Sequence, residues 1–190
     1  MTTKSSQSNI ELDRRHFEKF KHCIPELMEC DNRSLEMLLE KGLLQVSTCF
    51  EHALANVKNL TVIGADSHDL SDGADAKISS VRTHSSGACY GAPIRGLKNK
   101  TGNLYVQVYE RKQNRFYYFD IPYHAYKDIP SSSNIEIPFD LMGNPKPPTR
   151  AAKYNWWKYR VDSFFPEPPP VKIKAEPLTW FQRLKQRLGL

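Results

Sequence analysis

The chain lacks the features that mark a membrane or secreted protein. Over its 190 residues, no apolar run approaches the ~18–20 residues of a membrane-spanning helix. Its first nine residues contain no apolar core of the kind found in signal peptides. No Cys-x-x-Cys pair occurs, so we expect reduced thiols rather than a disulfide framework or a metal cluster at the four cysteines, Cys23, Cys30, Cys49 and Cys89. The sequence therefore predicts a cytoplasmic location and no membrane partner.

Several common catalytic and binding motifs are also missing. No glycine-rich loop is placed to cradle a phosphate, and no serine or cysteine nucleophile motif occurs. An EF-hand calcium loop with Gly73 as its sixth residue is excluded, because His68 and Leu70 would occupy its first and third positions, where acids are needed. Neither His68 nor His84 lies in the His-Asn or Cys-x-x-Cys context of a histidine-centred nuclease. These absences leave carboxylate chemistry as the main candidate.

The composition is that of a globular protein, with 39% apolar and 25% charged residues. The net charge of +6 conceals an asymmetry between the two parts of the chain. Residues 1–75 carry 8 Lys and Arg against 13 Asp and Glu, a balance of −5, whereas residues 76–190 carry 19 against 8, a balance of +11. This distribution suits a protein that holds cations in one region and binds a polyanion with another.

Periodicity predicts an α+β fold, in which N-terminal helices precede a mixed α/β-type sheet of about five strands. Residues 1–9 are expected to be a disordered lead, and apolar spacing predicts helices over about 10–30 and 34–57, separated by N-cap candidates at Asp31 to Ser34. Strand-like segments follow at 60–63, 74–82, 90–97, 103–111 and 116–121, with a short helix at 123–129 and an edge strand at 135–139. Hairpin turns are predicted at 99–102 and 112–115.

The proline distribution sets the predicted boundaries of the domain. Residues 10–165 are expected to form a single nuclease-like or nucleic-acid-binding domain. Residues 166–177 read as a proline-rich linker, and Leu178 to Leu190 as a basic amphipathic helix that could dock on a protein partner.

The most informative segment runs from Asp66 to Val81. Four aspartates, at 66, 69, 72 and 75, lie within ten residues, and Lys77 follows the last of them. In an extended strand residues i and i+2 share a face, so Asp75 and Lys77 should project together. The turn that Gly73 permits could return Asp69 towards them. Two carboxylates that can bind Mg²⁺ or Mn²⁺, beside a lysine that can orient water, are the parts of a metal-dependent phosphodiesterase.

This segment resembles the compact motif of the PD-(D/E)xK nuclease superfamily, in particular that of MutH and related GATC-recognising restriction endonucleases. The matching residues are Asp69-Leu70, Gly73 and Asp75-Ala76-Lys77, preceded by Lys41-Gly42 and Glu51. The likeness covers about residues 41–81, with Asp75 where that group usually has Glu. It implies a restriction-endonuclease-like fold and a Mg²⁺-dependent DNA endonuclease. Its metal ligands would be Asp69, Asp75 and Glu51, and its catalytic lysine would be Lys77.

Two alternatives concern which acids take part. Glu40 and Glu51 would lie about 16 Å apart along one helix, so only one could reach a common ion, and Glu51 is nearer the aspartates. A second placement pairs Asp75 with Glu110-x-Lys112 at the end of a later strand. Glu110 abuts the predicted hairpin turn, where catalytic residues of this type seldom lie, so charges flanking a hairpin are the favoured explanation of that second pattern.

Basic residues concentrated in turns are the predicted nucleic-acid contacts. They are Arg82, Arg95, Lys98, Lys100, Arg111 and Lys112. The expected partner is DNA, with RNA as a second possibility. The rival hypothesis is a non-catalytic DNA-binding or host-interaction module, such as a phage- or plasmid-type regulator or an anti-restriction factor. Such a module would use the same basic surface, and the acidic segment would be a solvated loop that leads into a surface strand.

Overall fold

The structure is a computed structural model that describes residues 4–65, 68–83, 90–97, 100–129, 134–146 and 154–169. Its helices are α1 (Lys4–Phe17), α2 (Pro25–Met28), α3 (Asn32–Glu40), α4 (Val46–Lys58) and α5 (Tyr123–Tyr126). Its strands are β1 (Val62–Ala65), β2 (His68–Leu70), β3 (Asp75–Ser80), β4 (Arg82–Thr83), β5 (Tyr90–Ile94), β6 (Leu104–Glu110), β7 (Arg115–Ile121), β8 (Ile135–Phe139) and β9 (Arg160–Val161). Short 3₁₀ helices cover Lys21–Cys23 and Trp156–Tyr159.

The predicted α+β class is confirmed, including a mixed sheet, but the strands divide among three sheets rather than one. The central sheet has the order β3-β6-β7-β9, with β3 parallel to β6 and the other pairs antiparallel. Strands β4, β5 and β8 form a second, antiparallel sheet, and β1 pairs with β2. The hairpin expected near 112–115 joins β6 to β7. The one expected at 99–102 is wrong, because β5 pairs with β4 and β8 instead of with β6.

The helices differ in two places from the sequence pattern. Helix α1 begins at Lys4, within the expected disordered lead, and the pattern over 10–30 divides into α1, a 3₁₀ turn and α2. The predicted helix 34–57 is interrupted after Glu40, where Gly42 adopts a positive φ of 65°, so α3 and α4 are separate. Asp31 caps α3 as expected, because its carboxylate accepts the Ser34 N–H at 3.0 Å.

Two hydrophobic cores lie on opposite faces of the central sheet. Strand β6 contributes to both, because alternate side chains of a strand point to opposite faces. Tyr105 packs with α1, α3 and α4, whereas Leu104, Val106 and Val108 pack with β5 and β8. The molecule thus has a helical layer, a mixed sheet and a smaller sheet, and β3 lies at the edge of the middle layer.

In the described part of the chain no helix has the length and apolarity needed to cross a bilayer. Cys23, Cys30 and Cys49 are free thiols, as expected, and Cys89 lies outside the described residues. Asp66, Lys98, His84, the linker beyond Pro169 and the C-terminal segment from Leu178 to Leu190 also lie outside them.

Candidate functional site

A tight turn brings Asp69 of β2 back to the start of β3. Gly73 adopts a φ of 83°, a conformation that side-chain-bearing residues rarely take, and its N–H donates to the Leu70 carbonyl at 2.9 Å. The Asp72 carboxylate supports the turn by accepting the Ala74 N–H and the Tyr105 hydroxyl, each at 3.0 Å. Asp72 is therefore a structural residue of this turn.

Asp69, Asp75 and Lys77 meet at the beginning of β3. The Lys77 Nζ lies 2.5 Å from Asp75 Oδ2 and 3.9 Å from Asp69 Oδ2. Asp69 Oδ2 also accepts the Ala76 N–H at 2.9 Å, which fixes its position beside the strand. The two carboxyl groups are close enough to shift each other's pKa. The three residues predicted from the motif thus share one site.

Lys100 completes the ion-pair network, although the sequence suggested it only as a turn-borne phosphate contact. Its Nζ lies 2.6 Å from Asp75 Oδ1, and its side chain is only 9% exposed. The parallel register explains its position: Asp75 is opposite Leu104, so the segment that leads into β6 lies beside the start of β3. The sequence offered no signal for this parallel pairing.

Asp75 is the most deeply buried group of the site, at 1% exposure. Each of its carboxylate oxygens is ion-paired, Oδ2 with the Lys77 Nζ at 2.5 Å and Oδ1 with the Lys100 Nζ at 2.6 Å. Two ammonium groups therefore offset the burial of this carboxylate, and a metal ion at Asp75 would have to displace at least one of them.

Glu51, on α4, faces the same group of charges. Burial raises its pKa to about 7, with the negative charge of Asp69 as the next cause, and Lys77 and Lys100 act in the opposite direction. Glu40, the alternative glutamate, lies on α3 with its carboxylate 3.8 Å from Arg14. Of these two glutamates, Glu51 is therefore the one whose pKa depends on the charges of the site.

The two aspartates respond differently to their shared environment. Burial works to raise the pKa of Asp69, but the contact with Asp75, the hydrogen bond from the Ala76 N–H and the nearby lysines outweigh it, so that pKa lies below its usual value. For Asp75, burial and the contact with Asp69 outweigh the two lysines and raise the pKa. The pKa of Asp69 is therefore the lower of the two.

No three His, Cys, Asp or Glu side chains within the described ranges come together as a ready-made metal-binding group. Asp69 and Asp75 converge, and Glu51 is near enough to interact through its charge without completing such a group. The ammonium groups of Lys77 and Lys100 lie against the Asp75 oxygens.

The alternative acid pair, Asp75 with Glu110, is not brought together. These residues lie at opposite ends of the β3–β6 ladder, about 20 Å apart at ~3.3 Å per residue. Glu110 is fully buried and accepts the Tyr90 hydroxyl at 2.5 Å together with the N–H groups of Lys112 and Gln113. It closes the β6–β7 turn.

A cleft of about 930 Å³ opens beside the site, and we call it the basic cleft. Helix α1 forms one wall with Asn9 and Asp13, and the end of β3 with β4 and β5 forms the other. Its cationic lining consists of Lys77, Arg82, Arg95, Arg111 and Lys112. Four predicted nucleic-acid contacts therefore line one depression, and Lys77 belongs to both the cleft and the carboxylate site.

Comparison of the chain with protein-family models, with curated proteins and with solved structures finds no match.

Proposed function

We propose that this protein is a small Mg²⁺-dependent DNA endonuclease of the PD-(D/E)xK type, with Mn²⁺ as an alternative ion. The observation that carries the proposal is the convergence of Asp69, Asp75 and Lys77, with Lys77 Nζ within 2.5 Å of one carboxylate and 3.9 Å of the other. A solvated acidic loop would leave these side chains apart. A strand that carries acid-x-Lys beside a returning aspartate, with α4 packed against it, is compatible with a restriction-endonuclease-like core.

The donor set fits a hard divalent cation. Mg²⁺ in nucleotide-processing sites is usually held by one or two carboxylates plus phosphate oxygens and water, rather than by a complete protein cage. Asp69 and Asp75 would supply those carboxylates, with Glu51 assisting. Binding of the ion at Asp75 would require the Lys77 or Lys100 ammonium group to withdraw from its carboxylate oxygen. When bound, the ion would make a coordinated water more acidic and offset charge on the phosphate.

The protein side chains divide the remaining work. Lys77 would orient the attacking water and stabilise negative charge that develops on the scissile phosphate, and Lys100 would reinforce that positive potential. Glu51, with a pKa of about 7, can accept or release a proton near neutral pH. The basic cleft would attract the phosphate backbone.

Cleavage of supercoiled plasmid, single-stranded DNA and RNA, each with Mg²⁺ and with EDTA, tests the proposal. We expect Mg²⁺-dependent cleavage, reduced at least about 100-fold in Asp75→Asn and Lys77→Ala because each removes a group that acts on the reacting phosphate or its water. Asp162→Asn, which neutralises an exposed carboxylate away from the site, is the matched control and should cleave normally.

Undiminished Mg²⁺-dependent cleavage by both Asp75→Asn and Lys77→Ala would refute the assignment of the site. A wild-type protein that binds DNA but cleaves nothing with Mg²⁺ or Mn²⁺ would instead favour the non-catalytic DNA-binding or host-interaction module. Comparing cleavage of DNA with cleavage of RNA also shows which of the two nucleic acids is the substrate.

A further inference from the structure

We infer that the basic cleft binds an unpaired nucleic-acid strand next to the carboxylate site, and that the Ser80 hydroxyl is an aligned hydrogen-bond donor within it. The inference rests on the proposed function only in taking the bound strand to be the substrate. Binding itself requires no hydrolysis, so the two can be tested separately.

The position of the cleft supports a continuous path for a strand. Lys77 contributes to both regions, and from there the lining follows the chain through Ile78, Ser79 and Ser80 to Arg82. A phosphate beside Lys77 would therefore have its neighbouring nucleotides in the cleft.

The charges on the two walls differ and indicate how a strand would lie. Arg82 and Arg95 are exposed on the sheet side and suit phosphate oxygens. On the α1 side, Asn9 and Asp13 are one helical turn apart and offer amide and carboxylate groups, which suit base edges better than phosphates. Lys112 has other contacts, because its Nζ lies 4.3 Å from the centre of the Tyr90 ring and also donates to the Leu141 carbonyl.

A buried hydrogen-bond relay ends at Ser80. The Gln107 amide nitrogen lies 3.3 Å from the His16 carbonyl oxygen, which can only accept, so this atom is the NH₂ group and also donates to His16 Nδ1 at 2.9 Å. The proton of the neutral ring is then on Nε2, 3.1 Å from Ser80 Oγ, with the Ser79 carbonyl as a further acceptor nearby.

The relay determines what Ser80 can do. Because its oxygen accepts from His16, its own proton is free to point elsewhere, and Ser80 lines the cleft. Burial lowers the pKa of His16 to about 4, so the ring stays neutral and the direction of the relay is constant at neutral pH. Chains of this kind strengthen the terminal donor. Ser80 thus offers an uncharged donor between the basic groups.

The size of the cleft favours a single strand over a duplex. Its volume of about 930 Å³ is at the upper end of the range for enclosed ligand sites, about 300–1,000 Å³. Such a space admits a few nucleotides between two walls. Specific duplex recognition commonly buries about 1,000–2,500 Å² of protein surface, so a duplex would have to contact surfaces outside this cleft as well.

Fluorescence anisotropy with a labelled DNA oligonucleotide, an RNA of the same sequence and the corresponding duplex, all in EDTA, tests the inference. We expect the single strands to bind more tightly than the duplex. The double variant Arg82→Ala/Arg95→Ala should bind about tenfold more weakly, and the slope of log K against log salt should fall by about 1.4, since each phosphate contact to a single strand contributes about 0.7. Arg33→Ala/Lys127→Ala, which removes the same charge from exposed sites elsewhere, should leave both quantities unchanged.

The contribution of the Ser80 hydroxyl to binding can be measured separately from that of the arginines. Ser80→Ala should weaken binding about three- to tenfold, as expected for the loss of one hydrogen bond, without changing the salt slope, because the group is neutral. Ser80→Thr, which retains the hydroxyl, should restore affinity. A change in the salt slope of Ser80→Ala, or unaltered affinity, would overturn the role of Ser80.

Equal affinity of Arg82→Ala/Arg95→Ala and the Arg33→Ala/Lys127→Ala control would overturn the strand-binding inference, and so would tighter binding of the duplex than of either single strand. Asp75→Asn separates the two proposals, because it should abolish cleavage while retaining binding of the strand. A protein that binds strands through Arg82 and Arg95 but never cleaves them would refute the proposed function alone.

Discussion

Replacing Glu51 by Gln should stabilise the metal-free protein, and the gain should increase with pH. In the folded state the pKa of Glu51 is raised to about 7 from an ordinary value of 4.5, mainly by burial and by the charge of Asp69. The folded protein therefore holds the proton more tightly than the unfolded chain does. Between about pH 4.5 and 7 the folded state binds more protons, so this group lowers stability as pH rises through that window.

The size of the effect follows from the same difference. At about 1.4 kcal/mol for each pH unit, the interval between 4.5 and about 7 corresponds to at most about 3.5 kcal/mol. Glu51 is only partly buried, and solvent screening reduces the effect. We expect Glu51→Gln to exceed wild type by about 1.5–3 kcal/mol at pH 8 and by little at pH 4.5.

Urea unfolding in EDTA at constant ionic strength, at several pH values from 4.5 to 8, measures this difference directly. Glu29→Gln is the matched control, because Glu29 is exposed in the turn after α2, and its curve should run parallel to that of wild type. If the Glu51→Gln curve is also parallel to wild type, then Glu51 does not face the charges of the site as described. Adding Mg²⁺ should stabilise wild type increasingly at higher pH, because the ion favours ionised carboxylates.

Three further predictions concern the elements that hold the site and the sheet. Gly73→Ala should lower the free energy of unfolding in urea by about 1–2 kcal/mol, because Gly73 has a φ of 83°. Gly73→Asn should lower it less, because Asn tolerates that conformation, and equal stability of the two variants would contradict this explanation. Glu110→Gln should lower thermal stability by an amount equivalent to about 2–3 kcal/mol, because an NH₂ group replaces one of the two acceptor oxygens and then faces either the Gln113 N–H or the Tyr90 hydroxyl with the Lys112 N–H; an unchanged melting temperature would contradict its role in the turn. Asp31→Ala should cost about 1 kcal/mol of stability through loss of the α3 cap, whereas Asp31→Asn should retain most of it; circular dichroism during denaturation tests both.

Local patterns predicted the individual elements better than they predicted the sheets. Strand alternation located most of the strands, and the cap at Asp31 was found because its signal lies within four residues. The parallel pairing of β3 with β6 was missed, since it joins segments separated by the residues between Ser80 and Leu104, and no local spacing encodes it. The division of the expected helix 34–57 depends on Gly42, which the apolar stripe alone does not reveal.

The same distinction applies to the candidate site. Asp69, Asp75 and Lys77 are within nine residues of one another, so turn and strand geometry sufficed to bring them together. Lys100 was assigned to phosphate contact because its ion pair with Asp75 depends on the parallel register. The hydrogen-bond relay from Gln107 through His16 could not be predicted for a similar reason, because the two residues are 91 positions apart in the sequence.

The parallel pairing of β3 with β6 also determines when the candidate site assembles during folding. The β6–β7 hairpin closes over a four-residue turn, whereas β3 can join the sheet only after a much longer loop has closed. Within the described sheets β3 has no other partner, so Asp75 and Lys77 cannot reach Lys100 until that late step. During refolding, secondary structure should recover before the charge network does. A nascent or partly folded chain would then contain most of its strands while still lacking the assembled site.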